Sequence, residues 1–494
     1  MLKRVESDAG TPLSVKLLAI AAAAFAVHYY VLHEVLGLLP VDEIYFAHVF
    51  WLMRHGQHLY TDFYANHLPT YFYLLEPLLP AGGDTDLGFI WILRATGVLA
   101  VLAYVVMLWS LLRRDFLYLL PFLFLFITLG RMSEIRPDTV GLLLFNAGWF
   151  LLLRDSGARN MLIAAALAGV ALTFSARAAV MALGLGLLMA WLCYQRRDWR
   201  TLKLLCLMGA AFFAVLATIY LLNPDGSRLM LRLVYSEPLA VTPDVPLWQR
   251  ILPIDRLLMV VLIGTALGAS VWRRSDKRAL VILFACATQI LLILVDPSPY
   301  QYVYSWAAIP TLAGLSMLGA VGPRRLHAAL AGVSSAIALF VISLSLSGPT
   351  PRPGSALRIT YDRPFAAGEL QRLPTAELMR LATTTERQEG AWNQLALFSE
   401  ICRRIDGPVV TKFYANLICL PDARYDWAGL KWPPLFVDDY ATEPRAEFEQ
   451  LFATNPPALV AWGKQHYRPR LNPWGRTLLA NYDIYDGYAL RKRR

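Results

Sequence analysis

After Pro40 the chain reads VDEIYFAHVFWLMRHGQHLYTDFYANHLPTYFYLLEPLLP, residues 41–80. The stretch follows an apolar run and opens on adjacent carboxylates, Asp42 and Glu43. A second acidic and basic set, Asp62 and His67, stands in YTDFYANHLPTYFY before another proline. The stretch is too polar to cross a bilayer, where unsatisfied polar groups are costly. It is also too apolar for an ordinary solvated loop. It reads as a loop on the outer membrane surface that carries the chemistry, with the rest of the membrane helices as its scaffold.

The bulk of the chain fits that reading. Of 494 residues, 57% are hydrophobic and 17% charged, and the mean hydropathy is +0.45. A soluble chain carries about 25% charged residues, so the deficit points to a polytopic α-helical membrane protein. The net charge of +10 is not a nucleic-acid footprint. Its basic residues sit in short clusters between apolar runs, as topogenic charge does. Lys3, Arg4 and Lys16 precede an apolar run with a small-residue tract at 21–24, like a secretion signal. The run continues to Leu39, long enough to span, and reads as an uncleaved first helix.

A spanning helix needs about 20 apolar residues. Candidate spans lie at 17–39, 88–112, 115–131, 138–153, 160–175, 178–195, 202–222, 256–272, 279–295, 302–321 and 326–347. That is about 11 transmembrane helices. Basic clusters at Arg113–Arg114, Arg154 with Arg159, Arg196–Arg197, Arg273–Arg274 with Lys277–Arg278, and Arg324–Arg325 all fall on the side of the N-terminus. By the positive-inside rule that side is cytoplasmic. The first loop, 40–87, is then outside, with 131–138, 176–177, 223–255 and 296–301. So is the tail.

Residues 1–347 therefore read as the transmembrane domain and 348–494 as a second domain on the outer face. The linker SGPTPRPGS is rich in Pro and Gly. A polar helical stretch follows, then strand-like pieces such as PVVTKFYA and ALVAWG. This mix suggests a small C-terminal α/β domain. Cys402 and Cys419 both lie there; outside the cytoplasm they have the conditions to form a disulfide. Two separate thiols are the other reading. No internal repeat, nucleotide-binding glycine loop or zinc-type Cys/His array is present.

Each candidate residue has a structural and a functional reading. Asp42 fits the cap of a surface helix running to about His55. It equally fits a general base that takes the proton of an acceptor hydroxyl. Neighbours on a helix diverge by about 100°, so Asp42 and Glu43 do not share one job: one is the base, the other holds a cation or orients a neighbour. Arg94, inside the second span, is placed to pair with an acidic residue of the first loop. In SEIRPDTVGLLL, Pro137 and Asp138 read as a helix start, while the planar fork of Arg136 suits a phosphate. Arg177 divides two apolar runs, where a charge is costly unless paired or facing a polar cavity. The tyrosines of DPSPYQYVY, among them Tyr300 and Tyr302, fit an aromatic belt or a wall of the substrate cavity.

These motifs together resemble the GT-C superfamily of integral-membrane glycosyltransferases, to which protein O-mannosyltransferases and lipid A aminoarabinose transferases belong. VDEIYFA matches the acidic pair that opens the family's first large outer loop. TDFYANHLP matches the later acidic-then-basic block, with His67 where the aminoarabinose transferases carry a lysine before two prolines. The RPD start at 136–138 and the tyrosine-rich entry near 300 also recur in bacterial relatives. Arg177 stands where many relatives place a lysine. The resemblance covers roughly residues 10–345 and gives the tail no motif.

The resemblance implies a GT-C fold and an inverting transfer of a sugar from a polyprenyl-phosphate (undecaprenyl-type) donor. The hydroxyl acceptor would be a glycan, lipid or protein, at the outer face of a bacterial inner membrane. Asp42 and Glu43 become the catalytic pair. Asp62, His67, Arg136, Asp138, Arg177, Tyr300 and Tyr302 become donor or phosphate-binding residues. Basic residues, or in some members a divalent cation (Mg or Mn) with Glu43 as its ligand, neutralise the leaving phosphate. Two alternatives stand beside it: a transporter or flippase of lipid-linked sugars, and a membrane oligosaccharide polymerase or ligase.

Overall fold

The computed structural model describes residues 12–31, 35, 41–54, 56–63, 65, 67–79, 89–129, 131–132, 134–222, 224–231, 246–276, 278–296, 301–346, 365, 368–388, 391–405, 409–411, 450–461, 481–485 and 488–492. The chain is mostly helical. In order come α1 (Leu13–Tyr30), α2 (Val41–Arg54), α3 (Thr70–Leu75), α4 (Phe89–Leu111), α5 (Phe116–Leu129) and α6 (Pro137–Arg154). Next are α7 (Ala158–Leu172), α8 (Ala178–Arg196), α9 (Trp199–Leu222), α10 (Pro224–Leu231), α11 (Leu247–Ile251), α12 (Ile254–Trp272) and α13 (Ala279–Val295). The bundle closes with α14 (Ala308–Ser316) and α15 (Pro323–Leu346).

Each apolar segment picked out above is helical over most of its described residues. Among the described residues, α1, α4, α8 and α9 are long and apolar enough to cross a membrane. Their outward sides carry exposed aliphatic and aromatic groups, such as Leu99, Val106, Leu183, Phe213 and Leu222. Water would penalise that surface, whereas a bilayer accepts it. The buried sides of the bundle helices meet in one apolar cluster that includes Phe122 of α5, Trp149 of α6, Leu188 of α8 and Ile282 of α13, with Trp306.

Small residues set the closest helix crossings, as they do where lipid supplies no squeezing force. A Cβ on Gly184 of α8 would overlap the Thr288 side chain of α13. One on Gly314 of α14 would lie 2.6 Å from the Ala266 Cβ of α12.

The α-helical part of the first helix ends at Tyr30; Val31 and Val35 lie in wider π-helical turns, and the rest of the run to Leu39 lies outside the described residues. One expectation needs correction. Residues 302–321 are not one helix. A 3₁₀ turn, Gln301–Ser305, leads to an irregular step at Trp306 and Ala307; α14 follows, then a 3₁₀ turn over Met317–Val321. Pro310 explains the step. Its ring displaces the carbonyl four residues back, that of Trp306, so it tolerates only the first turn of a helix.

Two buried amides capture the backbone groups freed there. Asn146 Nδ2 donates to the carbonyls of Ser305 and Trp306, while its Oδ1 accepts from the Ile309 N–H at 2.9 Å. Gln289 Nε2 donates to the Val303 carbonyl and its Oε1 accepts from the Ala307 N–H, at 2.7 and 2.9 Å.

In the tail, α16 (Glu369–Arg372), α17 (Thr375–Gln388) and α18 (Ala391–Arg404) precede a four-stranded sheet. Its strands are β1 (Val409–Thr411), β2 (Leu459–Ala461), β3 (Tyr482–Tyr485) and β4 (Tyr488–Arg491). The order is β1-β2-β4-β3, with β1 and β2 parallel and the other pairs antiparallel. Arg404 ties α18 to the turn after α16, through the carbonyls of Leu370, Gln371 and Leu373. A second apolar cluster gathers Phe46, Phe50 and Phe72 of the first loop with Leu378, Met379, Leu397 and Leu459 of the tail.

Candidate active site

The first loop begins with α2, whose Val49, Phe50 and Leu52 are fully buried. Its first turn carries Asp42 and Glu43. Glu43 points inward and is 1% exposed. Its Oε2 accepts from Arg94 Nη2 at 2.6 Å and Nε at 3.0 Å. Its Oε1 accepts from the Ile135 N–H at 3.1 Å. Arg94 is 3% exposed and reaches on to the Val35 carbonyl at 2.8 Å. One carboxylate therefore fastens three separate pieces: α2, α4 and the segment before α6. The pairing foreseen for Arg94 is present.

Tyr71 of α3 sits against this clamp. Its hydroxyl meets the Thr96 side chain and the Arg136 backbone. Burial, with Glu43 beside it, pushes the phenol far above its usual range, so it stays neutral.

The segment 131–136 is tightly shaped. Arg131 has φ of +49°, the left-handed region that non-glycine residues seldom adopt. Arg136 precedes Pro137 and is extended, as a residue before proline prefers. Proline then starts α6, where its missing N–H costs nothing. Arg136 is 5% exposed, and its Nη1 lies 3.1 Å from Glu134 Oε2.

Asp138, in the first turn of α6, is the centre of a charged group. Its Oδ1 accepts from the Ser175 hydroxyl at 2.5 Å and lies 3.9 Å from Arg177 Nη1. Arg136, Arg177 and His67 all act on it electrostatically. Its Oδ2 is buried and has no hydrogen-bond partner among the described residues. Arg177, just before α8, also donates from Nε to Asp296 Oδ2 at 2.5 Å, at the end of α13. Three helix ends from distant parts of the sequence thus share one ionic network.

His67 is fixed by its own loop. Its ring meets Phe46 edge-on at 4.8 Å, and its carbonyl accepts from the Tyr60 hydroxyl. Tyr60 itself holds φ of +68°, supported by its N–H donating to the Phe63 carbonyl at 2.7 Å. Asp62 is exposed, and its Oδ2 accepts from the His58 N–H at 2.7 Å, closing the turn between them.

The structure thus brings together Glu43, His67, Arg136, Asp138 and Arg177 around residues 134–138. Asp62 turns to its own loop. The side chains of Asp42, Tyr302 and Cys402 lie outside the described residues, as do Tyr300 and Cys419 entirely. Sequence reasoning missed Glu134, Ser175 and Asp296 as network members. Asp296 stood at the head of the tyrosine motif already noted. Among the described residues, no three His, Cys, Asp or Glu side chains gather as a metal site would need. Both oxygens of Glu43 accept from described donors, Oε2 from Arg94 and Oε1 from the Ile135 N–H.

Neither a family model nor a curated protein sequence matches the chain. Among solved structures, the chain is similar to ArnT from Cupriavidus metallidurans in the apo state. The TM-score is 0.50 at 13% identity, over 96% of this chain and 97% of that one. The likeness is one of fold: the chain shares the fold of that protein along nearly its whole length.

Proposed function

We propose that this protein is a glycosyltransferase that moves a sugar from a polyprenyl-phosphate donor to a hydroxyl acceptor. One observation carries the reading: His67, Arg136 and Arg177 converge on Asp138 beside the helix that begins with Asp42 and Glu43. That arrangement sits in a fold shared with ArnT. Fixed cations suit a leaving phosphate, because charge that develops in the transition state meets partners already oriented.

In the proposed step the bond between the sugar's anomeric carbon and the phosphate oxygen breaks. The acceptor oxygen forms a bond to that carbon from the opposite side, inverting it. The acceptor proton passes to the Asp42 carboxylate, and polyprenyl phosphate leaves with its negative charge against Arg177, Arg136 and His67. Asp138 Oδ2, buried and without a donor among the described residues, offers an acceptor for a sugar hydroxyl. Glu43 takes the second role open to the acidic pair: it orients, through Arg94 and Ile135. A divalent cation would supply further charge neutralisation if bound, but no step here passes through one. The proposed setting is a bacterial inner membrane, with the site and the tail on the outer face.

The test is purified protein given undecaprenyl phosphate carrying a radiolabelled sugar, with an envelope lipid and glycan extract as acceptor. Transfer of single sugars, with release of undecaprenyl phosphate, supports the reading. Donor that crosses a liposome bilayer unconsumed points to transport, and transfer of whole sugar blocks to a polymerase or ligase.

A further inference from the structure

Glu134 has no task in the proposed step, yet its buried carboxylate stands between two arginines. Its Oε2 lies 3.1 Å from Arg136 Nη1 and its Oε1 3.6 Å from Arg131 Nη1. The two partners are not equal. Arg131 is 43% exposed, and exposed pairs are weak because water competes for both charges. Arg136 is buried, where a charge depends on a fixed partner. The carboxylate serves chiefly Arg136.

The backbone keeps its shape without that carboxylate. Arg131 takes the left-handed position after α5, and the N–H groups of Arg131 and Met132 donate back to the carbonyls of Thr128 and Ile127. The Glu134 N–H donates to the Arg131 carbonyl at 3.3 Å, and the Glu134 carbonyl accepts from the Thr139 hydroxyl at 3.2 Å. The next N–H, that of Ile135, donates to Glu43. The Ile135 side chain enters the second apolar cluster. Contacts from α2, α5 and α6 thus hold the segment. The Glu134 side chain adds the direction of one guanidinium.

A carboxylate close to a phosphate site carries a penalty, because like charges repel strongly where water is scarce. Orientation offsets it. Arginine has a long, rotatable stem, and its planar fork matches two phosphate oxygens only when turned toward them. A misplacement of about 1 Å in such a group can cost about 10² in rate.

The geometry points to Glu134 as the positioning residue for Arg136, an inference that rests on the reading of Arg136 as a group facing the leaving phosphate. Glu134 touches no reacting atom and moves no proton. It sets the guanidinium in place before charge develops on the phosphate as the sugar–phosphate bond breaks.

The test is a double-mutant cycle on full-length protein in nanodiscs, with undecaprenyl phosphate carrying a radiolabelled sugar as donor. The readouts are kcat, the KM for donor, and the melting temperature. Glu134→Ala should lower kcat about 10²-fold, with donor KM and melting temperature near those of wild type. Glu134→Gln keeps an acceptor for Arg136 and should restore most of the rate. In an Arg136→Ala background, Glu134→Ala should cost no further rate, because the group it positions is gone.

Unchanged kcat in Glu134→Ala overturns the assignment while the donor reading stands. So does a loss that persists at full size in the Arg136→Ala background, since it would come from the segment as a whole. An equal loss in Arg131→Gln would move the role to the exposed pair and overturn it too. If Glu134→Ala does not fold, Glu134→Gln carries the same cycle: its smaller loss must vanish beside Arg136→Ala, and persistence overturns the assignment. A wild type that transfers no sugar from the lipid-linked donor overturns both readings.

Discussion

The carboxylate of Glu43 and the guanidinium of Arg94 form an ion pair at 2.6 Å, with side chains 1% and 4% exposed. Fifty-one positions separate them. The pair fixes where the first loop leaves the membrane helices. Breaking a buried pair by removing one partner leaves an uncompensated charge, worth about 3–5 kcal/mol. Glu43→Ala should therefore lower the melting temperature of the purified protein sharply. Pairing it with Arg94→Met should restore part of the loss. If Glu43→Ala unfolds like wild type but loses activity, its role lies in the chemistry instead.

Arg177 spans two carboxylates, those of Asp138 and Asp296. A lysine keeps the charge but has no planar fork to span both. Arg177→Lys should retain a measurable fraction of transfer, and Arg177→Ala should lose about 10²–10³ in kcat. Steady-state assays with the lipid-linked donor decide this. Equal activity in the two variants would remove Arg177 from the phosphate-facing group.

Asn146 and Gln289 satisfy backbone groups at the step before α14. A leucine at either position fits the volume and strands those groups in an apolar interior. Each orphaned group costs about 1–3 kcal/mol. Thermal unfolding of Asn146→Leu and Gln289→Leu should show both destabilised, Asn146 more, since it holds more partners. A wild-type melting temperature for both would show the step to be held otherwise.

Much of this was legible because the bilayer imposes simple rules. Apolar length marked the helices, and Pro137 marked the start of α6. The stretch at 41–54 was readable as a surface helix from its opening acids. Arg94 betrayed its pairing because an isolated charge inside an apolar run needs a partner. Three things were hidden. The step at Trp306 and Ala307 lies in a uniformly apolar run, where composition says nothing of backbone direction. Asp296 and Ser175 join the network only because α7, α8 and α13 end together in space, which spacing along one chain cannot reveal. Asp62 looked like His67's companion, yet a short acidic side chain in a turn turns to its own backbone.

By the positive-inside rule, the basic clusters predict that the N-terminus and the tail lie on opposite sides of the membrane. A reporter fused after Ser347 should be active only when exported, and one fused after Arg197 only in the cytoplasm. Activity of both on one side would break the assignment of the loop to the outer face.

The most direct test concerns Asp42, proposed as the general base. The expected cap role needs correction: α2 already begins at Val41, so Asp42 lies in its first turn rather than at the N-cap. There an acid favours the helix dipole by only about 0.3–1 kcal/mol, so Asp42→Asn keeps the fold while removing the proton acceptor. The measurement is single-turnover transfer from a radiolabelled lipid-linked donor, alongside donor binding and melting temperature. The base assignment predicts a folded protein that binds donor normally and transfers sugar about 10²–10⁴ times more slowly. Near-normal transfer by Asp42→Asn would contradict it and leave Asp42 as a first-turn acid of α2.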